Sequence, residues 1–129
     1  MDINKKIIIT TNDAPMAIGT YSQGIIYNNL IFTSGQIPLN PKTNTIISNK
    51  FSDQIKQVLN NLEAVLIAGG SDKQKIVKLT VYLTDLSNFD ALNNAFNSFF
   101  DNNYPARSVI EVSALPKDSM VEIEAVSTI

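Results

Sequence analysis

"YPARSVIEVSALPKDSMVEIEAVST", residues 104–128, contains two runs in which residues of different character alternate. Such alternation marks half-buried strands, because successive side chains leave opposite faces of a sheet. In the first run Ile110, Val112 and Ala114 alternate with Arg107, Val109, Glu111 and Ser113. In the second, Val121, Ile123 and Ala125 alternate with Glu122, Glu124 and Val126. The first-named sets are expected to meet the core. The other sets mix charge with valine, and two readings stand: a solvated face, or one covered by another subunit. The runs are joined across "LPKDS". A tight turn near 117–118 would place Glu122 opposite Ser113, six residues along from Arg107, or roughly 20 Å. On that register Arg107 and Glu122 could serve one site only across a subunit interface, so a shared site requires an oligomer.

Upstream, "KKIIIT" (5–10) reads as a short apolar strand. "SQGIIYNNLIFTSGQIP" (22–38) reads as a hairpin turning at Asn28-Asn29, a pair that tolerates positive φ. Pro38 and Pro41 punctuate the loop that follows. From Phe51 to Ala68 the apolar residues Ile55, Val58, Leu59, Leu62 and Leu66 recur at the helical period, and Gly69-Gly70 supply a left-handed C-cap. "KIVKLTVYLT" (75–84) is a strand with Val77, Leu79, Val81 and Leu83 on one face. A second helix starts near Ser87, which with Asp90 resembles a capping box. Its buried stripe would be Phe89, Leu92, Phe96, Phe99 and Phe100. The order β-ββ-α-β-α-ββ gives an α+β architecture, one mixed sheet with two helices on one face, as a single domain over residues 1–129.

Composition narrows the chemistry. The chain has no Cys and no His, which removes disulfides, thiol nucleophiles, imidazole acid–base pairs and His-based metal sites. A net charge of −2 argues against nucleic acid, and no basic run exceeds two residues, which argues against an anionic membrane surface. No apolar run is long enough to span a bilayer, and "DINKK" after Met1 does not read as a secretory signal, so a cytoplasmic location is expected. Asn occurs 15 times and Ile 17 times, and nine of the ten basic residues are Lys. Against that background the single Arg107 stands out as a position that needs a planar guanidinium.

Arg107 is the first candidate for chemistry, because a guanidinium can hold a carboxylate through two parallel charge-assisted hydrogen bonds. Pro105 stiffens the chain leading to it. A structural ion pair with Glu111 or Glu124 is the competing reading. Glu122 is the candidate acid–base group, and a solvated strand glutamate is the alternative. Tyr21, after the flexible Gly19, could offer a hydroxyl or simply pack its loop. Ser34 and Gly35 end a strand where backbone can approach a ligand closely, or merely turn. Asn93 lies one position from the apolar stripe of the second helix and could be no more than a surface residue.

These residues fall in segments that together resemble one family. "AIGTYSQG", "FTSGQIP", "NLEAVLIAGGS", "VYLTDLSNF" and "YPARSVIEVSALPKDSMVEIEAVS" are similar to the RidA family of reactive-intermediate imine/enamine deaminases, with segments in family order from about Ala14 to Ser127. The resemblance implies a chorismate-mutase-like fold assembled as a homotrimer, with ligand sites at the subunit clefts. It also implies hydrolysis of 2-iminoacids, the tautomers of enamines such as 2-aminoacrylate, to 2-oxoacids and ammonia, without a metal or organic cofactor. Carried over by motif, Arg107 would bind the substrate carboxylate and Glu122 of a neighbouring subunit would position water. Tyr21, Ser34, Gly35, Asn93 and the backbone of Val109 would line the pocket. Many members have Cys in place of Val109 and Pro in place of Thr20. A non-catalytic trimer that binds small carboxylates for regulation is the rival reading. Ribonuclease activity, attributed to some relatives, matches an acidic chain with one Arg and no His poorly.

Overall fold

Asn28 and Asn29 both adopt left-handed backbone, with φ of 51° and 64°, as a two-residue hairpin turn requires. They join strands Gly24–Tyr27 and Leu30–Thr33. The computed structural model describes residues 4–129. Its strands are β1 (Ile7–Ile9), β2 (Gly24–Tyr27), β3 (Leu30–Thr33), β4 (Ile76–Leu83), β5 (Ala106–Glu111) and β6 (Val121–Thr128). They form one sheet in the order β1-β2-β3-β6-β4-β5. Only β4 and β5 run parallel.

Helix α1 (Phe51–Ala68) follows the expected period, burying Ile55, Val58, Leu59, Leu62, Val65 and Leu66. Helix α2 (Phe89–Phe100) buries Leu92, Phe96 and Phe100. Both stripes join Ile31, Leu79, Val81 and Ile123 of the sheet in a single core, so the helices cover one face and leave the other open. The fold is therefore the α+β arrangement expected, a mixed sheet with two helices. No helix among the described residues is long and apolar enough to cross a membrane.

Five local expectations are corrected, one of them Phe89, which is 40% exposed rather than part of the buried stripe of α2. The most consequential concerns 104–128: β5 and β6 are not a hairpin, because β4 lies between them. Val112 N–H donates to the Leu83 carbonyl at 2.8 Å, and Thr84 N–H donates to the Met120 carbonyl at 3.2 Å. The connection thus wraps over the end of β4, whose polar backbone is satisfied on both edges. Glu122 consequently pairs with Tyr82, not Ser113.

The faces of β5 are also reversed from the reading above. Arg107 and Val109 stand in register with the buried Leu79 and Val81, so they point toward the helices, while Ile110 is 44% exposed on the open face. In β4 a register irregularity between Ile76 and Lys78 turns Val77 outward, and Ile76 takes its place in the core. At the chain termini of the helices, Asp85 rather than Ser87 makes the cap. Its Oδ1 accepts the Ser87 N–H at 2.9 Å in a 3-10 turn that precedes α2. Gly70, at φ 87°, is the left-handed residue after α1.

Candidate active site

The Arg107 side chain lies between two rings of α2. Its guanidinium carbon is 5.3 Å from the Phe89 ring centre and 5.2 Å from that of Phe96. Asn93, between them on the helix, accepts a hydrogen bond from Nη2 at 2.6 Å. Cation–π contact with both rings and one short bond hold the fork while leaving most of its N–H donors uncommitted. The ion pairs entertained from sequence do not form. Glu111 instead accepts the Leu86 N–H at 2.9 Å, and Glu124 accepts the Tyr82 hydroxyl at 3.1 Å. Beside the guanidinium is a pocket of ≈ 270 Å³ lined by Asn93, Phe96, Asn97, Tyr104, Pro105 and Arg107. Val109 packs its side chain against the core, so a ligand on this edge strand would meet its backbone.

Glu122 belongs to a second pocket of ≈ 380 Å³, whose lining includes Ile18, Tyr21, Ser34, Gly35, Pro116 and Glu122. Gln36 N–H donates to the Ile123 carbonyl at 2.8 Å, and Ile123 N–H returns a bond to Gln36 at 3.1 Å. This exchange presses Gly35 against Glu122, and a Cβ at Gly35 would collide with the Glu122 carboxylate. Burial, and secondarily the neighbouring Glu124 charge, raise the Glu122 pKa above its ordinary value. The Ser34 hydroxyl donates to the Ser22 carbonyl and its N–H to the Gln23 carbonyl at 2.9 Å, so only the hydroxyl lone pairs remain for a ligand. Tyr21 is 46% exposed, and its hydroxyl accepts the Ile18 N–H at 3.2 Å.

The two pockets share no residue. Along β4, Arg107 aligns with Leu79 and Glu122 with Tyr82. Their Cα atoms are therefore roughly 14 Å apart, two strands over and three residues along. Their side chains leave opposite faces of the sheet. The single chain brings Tyr21, Ser34, Gly35 and Glu122 together, and separately brings Asn93 and Arg107 together.

Residues 11–129 match the family described as Endoribonuclease L-PSP. The chain is 44% identical to a Yersinia pestis protein of the conserved Rid family, YyfA, whose crystal structure superposes with a TM-score of 0.94 over 97% of this chain and 100% of that one. This chain belongs to the RidA family. The human 2-iminobutanoate/2-iminopropanoate deaminase is 41% identical to it over 120 residues, covering 93% of this chain and 88% of the human one. The crystal structure of Escherichia coli TdcF with bound serine is 42% identical, with a TM-score of 0.91 over 95% and 98% of the two chains.

In this RidA chain, sequence reasoning found the charged groups and Asn93, but missed the two rings and the buried amide that hold the site in place. Phe89 and Phe96 were read only as core, yet they clamp Arg107; their positions flanking Asn93 at helical spacing were the available signal. Gln23, buried, was also missed. Its amide bonds the carbonyls of Thr11, Ala14 and Pro15 and accepts the Thr11 N–H, pinning the RidA segment that leads to Tyr21.

Proposed function

We propose that this chain is a hydrolytic deaminase of reactive 2-iminoacids, acting as a homotrimer with Arg107 and Glu122 supplied to each site by different subunits. The observation that carries this reading is the Arg107 guanidinium, oriented by Asn93 and two rings, with no carboxylate of the described residues bound to it. A small carboxylate ligand is the natural counterpart of that fork. The reading is further supported by the human relative named as such a deaminase and by the TdcF relative crystallised with serine, an amino acid of the right size.

If the two half-sites serve one substrate, their separation calls for a subunit interface. It also gives a partner to the open face of the sheet, where Ile8, Phe32 and Ile110 are exposed. In the reaction, the substrate carboxylate sits on Arg107 and water held by Glu122 attacks C2 of the C=N bond. The resulting carbinolamine expels ammonia and leaves the 2-oxoacid. The imine already hydrolyses in water, so orientation and placed charge suffice, without a covalent intermediate. Ribonuclease action, suggested by the family's description, would ask an acidic chain with one Arg to bind a polyanion.

The test couples the purified protein to a dehydratase that generates 2-aminoacrylate and follows pyruvate, with sedimentation reporting oligomeric state. Acceleration by a trimer is expected. No acceleration across small iminoacids, with Arg107-dependent binding of a 2-oxoacid retained, would replace the enzyme with a carboxylate-binding regulator.

Gly35→Ala gives a separate expected result. The collision is with the mobile end of the Glu122 side chain, so the fold should survive while the carboxylate is displaced. Turnover should fall by ~10- to 100-fold, as a misplacement of about 1 Å does elsewhere. Unchanged turnover, measured in the pyruvate assay, would separate Gly35 from the site.

A further inference from the structure

Asn93 and Asn97 stand one helical turn apart on α2, and each bonds a residue of the segment entering β5. Asn93 receives Arg107. Asn97 Oδ1 receives the Tyr104 hydroxyl at 2.6 Å, with Asn102 Oδ1 at 3.3 Å from the same hydroxyl. Both pairs border the ≈ 270 Å³ pocket, yet the deaminase reading uses only the cationic end.

Tyr104 is 51% exposed, so Asn97 is not rescuing a buried hydroxyl that would otherwise be unsatisfied. The tyrosine is nevertheless held in place. Asp101 and Asn102 adopt left-handed backbone, at φ 50° and 67°, and Asn103 Nδ2 donates to the Gln74 carbonyl at 3.2 Å and to Gln74 Oε1 at 2.8 Å. Pro105 follows at once. A fixed phenol presented to a pocket costs little ordering on binding.

We infer that Asn97 and Tyr104 form a second anchor, which selects ligands ending in a carboxamide. The inference rests on the reading of Arg107 as the carboxylate anchor. Residues one turn apart on a helix are separated by about 5–6 Å. At ~1.5 Å per bond, a bent chain of roughly four bonds covers that span from a carboxylate carbon. The anchor offers Asn97 Nδ2 as donor and the phenol oxygen as acceptor, which complement the carbonyl and the NH₂ of an amide. An alkyl group of the same shape would leave both without a partner.

The test uses an isosteric pair. Binding of 2-oxosuccinamate and 4-methyl-2-oxopentanoate is measured by calorimetry on the intact oligomer, wild type and Tyr104→Phe. In parallel, hydrolysis is followed for the imines that an amino-acid oxidase makes from asparagine and leucine. Wild type should favour the amide by about 3- to 10-fold, the worth of a net hydrogen bond or two. Tyr104→Phe should bring that ratio toward one, and Asn97→Leu should do the same. A ratio unchanged by either variant, a uniform loss for both ligands, or binding of neither ligand overturns the anchor. Retained amide preference in binding with no hydrolysis of either imine would leave the anchor standing and remove the deaminase.

Discussion

If the chain is the deaminase proposed, Arg107→Lys should lower kcat/KM for 2-iminopropanoate by ~10- to 100-fold, mostly through KM. Lysine keeps the charge but loses the planar fork, and with it one of two charge-assisted hydrogen bonds to the substrate carboxylate, each worth about 1.5–3 kcal/mol. It also loses the geometry that Asn93 and the Phe89 and Phe96 rings impose, since an ammonium on a flexible stem does not lie flat between them. Asn93→Ala should show a smaller loss in the same direction, because the rings still hold the guanidinium. Steady-state kinetics in the pyruvate-coupled assay, with sedimentation to verify the oligomer, decide the matter. A lysine variant with wild-type KM would mean that Arg107 serves the fold rather than the ligand.

Glu122→Gln should act on kcat instead, with a loss of ~10²- to 10⁴-fold, the usual worth of a placed acid–base group. Two pH signatures accompany it, and they run in opposite senses. On the proposed mechanism the carboxylate is the form that would hold and deprotonate water. Burial raises its pKa, so the acid limb of the wild-type profile should lie above the ordinary glutamate value of 4.5, and the glutamine variant should lack it.

For stability the sign reverses. A raised pKa means that the folded chain holds this proton more tightly than the unfolded one. Stability is then lost as pH rises from the ordinary value through the folded one. Removing the charge should therefore raise Tm at neutral pH, with the difference fading as pH drops below the ordinary value. Thermal melts of both proteins across that range check the claim. An enzyme slowed but without either pH signature would point to a glutamate that shapes the pocket only. A gain in stability alongside a loss of turnover is what a site group held against its solvation preference produces.

The sequence by itself determined much of this protein, because the signals involved are local. The period of Ile55, Val58, Leu59, Leu62 and Leu66 set the first helix, and Asn28-Asn29 set the hairpin. The alternation of Val121, Ile123 and Ala125 with Glu122 and Glu124 set both the last strand and the outward face of its carboxylates. The scarcity of Arg singled out Arg107 before any geometry was known. Strand pairing was decided elsewhere. Nothing in "LPKDS" says whether the chain turns back on itself or steps over a third strand, since pairing is a contract between distant segments. The tertiary structure inserts β4 because that strand, apolar on one face, has two polar backbone edges to satisfy.

That insertion also fixed the parity of β5. Register with Leu79 and Val81 sent Arg107 toward the helices, where Phe89, Phe96 and Asn93 receive it, and left Ile110 outside. Alternation identifies two faces of a strand, but an edge strand with Val on one set and Ile on the other carries no label for which is inner. Arg107 and Glu122 are thus kept apart by opposite faces of one sheet, at roughly 14 Å, and not by the roughly 20 Å along a hairpin that the sequence suggests.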